Sequence, residues 1–162
     1  MLKKTVLFLL IIFIFSSNNL LAETILIKAK VKNEIITNID VEHEVNYLIF
    51  LNPKLNELNK LRLNKLAVES LINEIIKKKE LEKIFDFNKE NKLIDRIEEN
   101  LIRAKKIKNI SKFKEILKSK NLKYKIIREK LKIEAMWNQL IYDKYSNNLR
   151  INKLELKQKI LS

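Results

Sequence analysis

Apolar and polar positions alternate over residues 25–32. Ile25, Ile27, Ala29 and Val31 fall on one side of the pattern, and Leu26, Lys28, Lys30 and Lys32 on the other. A period of two is that of a half-buried strand, which assigns the first set to one face and the lysines mainly to the other. Lys32-Asn33 predicts a turn, because Asn tolerates positive φ better than other non-glycine residues. Residues 34–37 then return as a second short strand. Thr37-Asn38-Ile39-Asp40 fits the looser Ser/Thr-x-x-Asp/Glu capping box, in which side chains at both ends of the motif satisfy amides of the first turn. The expectation is a hairpin over about 25–37 whose second strand runs straight into a helix.

From there the period changes to 3.6. A first helix is predicted up to Leu51, where Asn52-Pro53 stops it. A second carries Leu61, Val68, Leu71, Ile72, Ile75 and Ile76, with Lys77, Lys78 and Lys79 near its C-terminal end, where cations suit the dipole. Asn88 is the expected N-cap of a third helix, striped by Leu93, Ile94, Ile97, Leu101 and Ala104 and ending near Lys108-Asn109. Ser111 is the expected cap of a short fourth helix bearing Phe113, Ile116 and Leu117. Asn121 takes the left-handed position after it in place of glycine. A fifth helix is predicted over about 122–145, with Ile126, Ile133, Trp137, Leu140 and Ile141 on one face and Ile127 beside it. Asn152 can cap a last short helix. The fold class that follows is mainly α: a multi-helix domain with a short N-terminal β-hairpin.

Composition supports this class. Among 162 residues there is no glycine, one proline and no cysteine. A sandwich or barrel needs many tight turns, and this chain lacks the residues for them. With 46% hydrophobic and 33% charged residues there is enough apolar material for a core. No disulfide, thiolate metal site or thiol nucleophile can form.

Catalytic chemistry has little to work with. His43, the single histidine, is flanked by Glu42 and Glu44, but adjacent helix residues do not share a face. A zinc site would need further His or Cys ligands. Glu42/Glu44 and Glu98-Glu99 are carboxylate pairs whose plainer reading is solvated helix face. Without glycine there is no Walker loop, dinucleotide fingerprint or nucleophile elbow. The expectation is a non-enzyme without cofactor or metal. Trp137 sits at core spacing. Tyr47, Phe50 and Phe113 lie near helix ends or on short elements, which makes them candidates for partly exposed contacts with a binding partner.

The net charge of +14 leaves two readings open. One is an anionic partner: nucleic acid, membrane surface or acidic protein segments. The other is codon bias, since Lys, Ile and Asn have A/T-rich codons. The N-terminus weighs on that choice. Lys3 and Lys4 precede an unbroken apolar run over residues 6–15, then a polar stretch, then Leu20-Leu21-Ala22 before Glu23. These are the three parts of a secretory signal. The run is about half the roughly 20 residues of a membrane span. Cleavage between Ala22 and Glu23 is expected, although Leu20 is larger than the residue favoured there. The division is then a signal over 1–22 and a helical domain over 23–162. Export disfavours nucleic acid as partner.

The order of parts is similar to a known family. A strand pair with Asn at its turn leads into "EIITNIDVEHEV", then "LAVESLINEIIKKKELEKIF", "NKENKLIDRIEENLIRAKKI" and "ISKFKEILKSKNLKYKIIREKLKIEAMWNQLI". This resembles the N-terminal chaperone domain of SurA-type periplasmic folding factors. Their strand segment reads like "VVN(D/N)xVIT..DV", matched here by Val31, Asn33, Ile35, Ile36, Thr37, Asp40 and Val41. Each motif alone is amphipathic patterning, and the ordered set carries the resemblance. It implies a periplasmic holdase for unfolded outer-membrane polypeptides. Family members usually continue into parvulin-type isomerase domains. This sequence stops at Ser162, where one would begin, so isomerase activity is not expected. Members also return a C-terminal segment to their N-terminal domain. Its lack here leaves an open hairpin edge, guarded by Lys28, Lys30 and Lys32 or covered by a second copy. A separately encoded isomerase is a further partner the resemblance leaves open. The alternative is an inner-membrane adaptor with an uncleaved signal anchor and basic helices lying on anionic lipid.

Overall fold

Thr37 is the residue at which strand becomes helix, and the capping box forms in full. Its Oγ1 accepts from the Asp40 amide at 3.2 Å, and the Asp40 carboxylate accepts from the Thr37 amide at 2.8 Å. Asn38 then ties the helix start back to the incoming chain. Its amide donates to the Leu26 carbonyl at 2.9 Å, and its Oδ1 accepts from the Leu26 amide at 2.6 Å. The turn from strand to helix is thus fixed by side chains within one turn of sequence, with no glycine required.

The computed structural model describes residues 24–87, 89 and 92–146. The signal segment, the proposed Asn88 cap and the last short helix predicted after Asn152 lie outside the described residues. In order come β1 (Ile27–Val31), β2 (Glu34–Thr37), α1 (Asn38–Leu51), a 3-10 turn (Pro53–Glu57), α2 (Lys60–Leu81), α3 (Lys92–Ala104), α4 (Ile110–Ser119) and α5 (Tyr124–Tyr145). The chain is mainly helical with a two-stranded antiparallel hairpin, as the periodicities predict. α2 packs against α1 and α5, α5 against α3, and α4 closes on α3 and α5.

Two helices end without glycine in the same way. Lys106 and Asn121 take left-handed φ of 55° and 56°. In each case the following apolar residue, Ile107 or Leu122, donates back five residues, to Ile102 or Leu117. These are Schellman motifs, in which the apolar pair across the turn packs into the core. Asn121 was expected in this role. Lys106 was not, and it ends α3 at Ala104, before the predicted Lys108-Asn109.

Other local expectations are corrected. The positive φ of the hairpin falls on Lys32, at 53°, rather than on Asn33. The pairing shifts between Ile27 and Ala29, with Ile27 opposite Thr37 and Ala29 opposite Ile36. Such a bulge breaks strict alternation, so Ala29 and Val31 face the core while Ile25 and Ile27 are exposed. Asn109, not Ser111, caps α4: its side chain accepts from the Lys112 amide at 2.9 Å and its carbonyl from the Phe113 amide at 3.0 Å. Asn is as good a cap as Ser, and the earlier start adds two residues to the helix. Leu61 and Ile76 of α2, and Ile126 and Ile141 of α5, lie off the buried faces.

Three apolar clusters make the core. One joins Tyr47, Phe50, Ile102, Phe113, Leu117, Leu122 and Ile127; a second joins Ile36, Val41 and Ala67; a third joins Leu81, Ile133 and Met136, with Trp137 against it.

Candidate functional site

Two features stand out from this frame: an apolar hairpin surface and a cleft with a charged floor. At the hairpin, Ile25, Leu26, Ile27 and Ile35 are between 50% and 67% exposed. Among the described residues the sheet has two strands only. Each strand therefore keeps one edge without a ladder partner, next to exposed isoleucines. Backbone groups and apolar side chains together suit an extended segment of any sequence, because the ladder bonds are made by main chain. Lys28, Lys30 and Lys32 border this surface, are exposed, and have no carboxylate within ion-pair distance among the described residues.

The cleft, of about 140 Å³, lies between α1, α2 and the α4–α5 turn. Leu71, Leu122, Ile126 and Ile127 supply apolar wall, and His43 and Asp40 line it from α1. Its floor is an ion cluster. Lys130 Nζ lies 2.7 Å from Glu44 Oε2 and also pairs with Glu74. The other Glu44 oxygen accepts from Ser70 Oγ at 2.6 Å. Glu44 is 1% exposed and Lys130 7%. Each stands one turn from core residues on its own helix: Val41 and Tyr47 flank Glu44, and Ile127 and Ile133 flank Lys130. The cluster therefore occupies the junction of the three apolar clusters.

One lysine serving two carboxylates leaves an excess negative charge. Burial pushes the Glu74 carboxyl above its usual range, more than Lys130 pulls it down. Burial also disfavours the Lys130 cation, but Glu44 and Glu74 together hold it above the ordinary lysine range. The Tyr47 phenol is driven well up by its burial first, then by Glu44 and Glu74. All three shifts favour the protonated form, because the surroundings are dry and net negative. This arrangement holds charge in place where α1, α2 and α5 meet.

Around the cluster the cations of α2 and α5 are matched. Lys77 meets Glu134 at 2.6 Å, Lys78 meets Glu129 at 2.5 Å, and Lys79 meets Glu34 at 3.1 Å. Arg128 bridges Asp95 and Glu98, both at 2.5 Å, and so ties α5 to α3.

Tyr47, Phe50 and Phe113, read as candidate partner contacts, are corrected by their burial. They are 7%, 6% and 0% exposed and pack with one another, the Phe50 and Phe113 rings at 6.1 Å. The reason is the short α4: folded against α3 and α5, it seats Phe113 over the end of α1. Glu44 and Glu98, read as solvated, are buried in ion pairs. A signal existed for them. Glu44 lies three residues after Val41 and three before Tyr47; Glu98 lies four from both Ile94 and Ile102; Lys130 lies three from both Ile127 and Ile133. A charge at stripe spacing is a charge in the core.

No protein-family model, curated protein or solved structure matches this chain. Among the described residues no helix is long and apolar enough to cross a membrane, and no group of three or more His, Cys, Asp or Glu residues could hold a metal ion.

Proposed function

We propose that this protein is a non-catalytic chaperone of the periplasm, a holdase that keeps unfolded outer-membrane polypeptides from aggregating. The observation that carries the reading is the two-stranded hairpin with Ile25, Leu26, Ile27 and Ile35 exposed beside edges that have no ladder partner among the described residues. A holdase must accept clients of varied sequence. Main-chain pairing supplies affinity without side-chain specificity, and scattered apolar contacts add to it. The secretory-type N-terminus and the resemblance to SurA-type domains support the compartment and the client class. The bordering lysines favour acidic client segments and speed encounter with them.

The test is light scattering of a urea-denatured outer-membrane protein on dilution, with and without the chaperone. Suppression at near-stoichiometric ratio that persists in high salt is expected. Replacing Ile27 and Ile35 together by Ser should weaken it severalfold with little loss of stability, since both residues are more than half exposed. Suppression that vanishes with salt, or survives the double replacement unchanged, rejects the reading.

A further inference from the structure

The positive charge of this chain is not spread evenly. Residues 24–104 carry fifteen Lys or Arg against fourteen Asp or Glu, a net +1. Residues 105–125 carry nine lysines against one carboxylate, Glu115, a net +8 of the chain's +14. Codon bias would enrich lysine along the whole chain. It gives no reason for carboxylates to be nearly absent from this one lobe.

The structure shows what the lobe does with that charge. It is the turn after α3, then α4, the turn into α5 and the first residues of α5. Lys105 donates to the Leu51 carbonyl, Lys112 pairs with Glu115 at 2.8 Å, and Lys114 sits over the Tyr124 ring at 4.4 Å. Lys106, Lys108, Lys118, Lys120, Lys123 and Lys125 are exposed and have no carboxylate within ion-pair distance among the described residues. α4 is about 15 Å long at the usual helical rise, so at physiological salt these charges lie within one or two screening lengths, ~8 Å each, and act as a common field. The apolar residues of the lobe, Phe113, Leu117 and Leu122, all point inward. Ile110, at the start of α4 between Lys108 and Lys112, is the exception at 39% exposed.

We infer that the 105–125 lobe is a docking surface for an anionic lipid bilayer. The observations choose among anionic partners. A nucleic-acid reader would use arginine forks and exposed rings for bases; the lobe has no arginine, Phe113 is buried, and the Tyr124 ring is covered by Lys114. A peptide-binding site would offer a groove; the cleft between α1, α2 and the α4–α5 turn borders the lobe only at Asn121, Leu122 and Lys123, and Lys106, Lys108, Lys118, Lys120 and Lys125 do not line it. What remains is a cluster of exposed, flexible point charges with one exposed apolar side chain, Ile110, among them. That fits a plane of anionic headgroups, to which each lysine near the surface adds about fivefold in affinity.

The test is cosedimentation of the full chain with vesicles one-third phosphatidylglycerol in phosphatidylcholine, and with phosphatidylcholine alone. The second measures what the apolar N-terminal run contributes. Binding should require the anionic lipid and fall steeply with salt. Replacing Lys108, Lys118, Lys120 and Lys125 together by Gln should cost ~100-fold or more in partitioning. Replacing Lys28, Lys30, Lys54 and Lys60 by Gln removes the same net charge elsewhere and should cost less than about fivefold. The four lobe lysines changed to Arg should keep binding. Equal losses from the two glutamine sets would assign binding to net charge and overturn the inference. So would indifference to lipid charge, or tighter binding to single-stranded DNA or polyglutamate at equal anionic charge.

Discussion

Two regions of this molecule handle lysine in opposite ways. In the seam where α1, α2 and α5 meet, every lysine of the Lys77–Lys79 run finds a carboxylate, and Lys130 is buried between two. In the 105–125 lobe every lysine but Lys105 is exposed, with one carboxylate near. Composition alone would treat these lysines as equivalent. Their energetics differ because burial decides what a charge costs. A solvated lysine costs nothing to leave unpaired, whereas a buried one must be matched or it destabilises the fold. The seam therefore specifies how three helices meet, and the lobe projects a field.

The largest effect should separate the two regions outright. Lys130→Ala leaves Glu44 buried without its cation, a class of change that costs ~3–5 kcal/mol. Lys118→Ala in the lobe should stay within about 0.5 kcal/mol of wild type. Urea denaturation monitored by circular dichroism measures both. Similar midpoint shifts would mean that the buried cluster is hydrated in solution and that the contrast between the regions is false.

The sign of the seam's charge imbalance gives a sharper test. The Glu74 carboxyl is held above its ordinary value of 4.5, so the folded state binds its proton more tightly than the unfolded chain. Its ionisation therefore costs stability, and the loss accrues as pH rises from about 4.5 through the raised folded value. Lys130 is raised as well. Its contribution is complete below the ordinary lysine value of 10.5 and is lost only as pH rises beyond it through the folded value. Between the acid and alkaline limits the decline belongs to Glu74. Glu74→Gln leaves Glu44 and Lys130 as a balanced pair, so the fall in denaturation midpoint as pH rises above about 4.5 should flatten. A variant that keeps the full decline would place the excess negative charge elsewhere.

How much of this was legible in the sequence depends on the range of the interaction. Thr37 with Asp40, and Asn121 after α4, were readable because capping is settled within a few residues. The helix–hairpin order followed from a change of period at residue 37. The bulge at Lys28 was not readable, because it depends on how β1 meets α1 and α2. The end of α3 at Lys106 was missed because lysine is a poor left-handed residue in isolation; Ile107 reaching back to the core decides it. The floor of the cleft is not legible locally, because charged residues are almost always solvated unless paired. Glu44 and Lys130 are distant in sequence, and only packing shows that two stripe positions carry opposite charges that face each other. The lobe was fully legible as a count of residues, yet its freedom from partners was not.

The smallest predicted effect concerns self-repulsion within the lobe. Lys114 and Lys118 stand four apart on α4, a like-charge spacing that costs a helix ~0.2–0.5 kcal/mol. Screening removes this penalty as the Debye length shrinks from about 30 Å at 0.01 M salt to 3 Å at 1 M. Amide exchange in α4 should therefore slow modestly as salt rises, while exchange in the seam, whose central pair is dry, should hold or quicken slightly. Lys118→Gln should reproduce part of the slowing at low salt and reduce its salt dependence. Parallel salt responses in both regions would show that the lobe's lysines are matched after all, by carboxylates reached in solution, and its field would then be too weak to hold a bilayer.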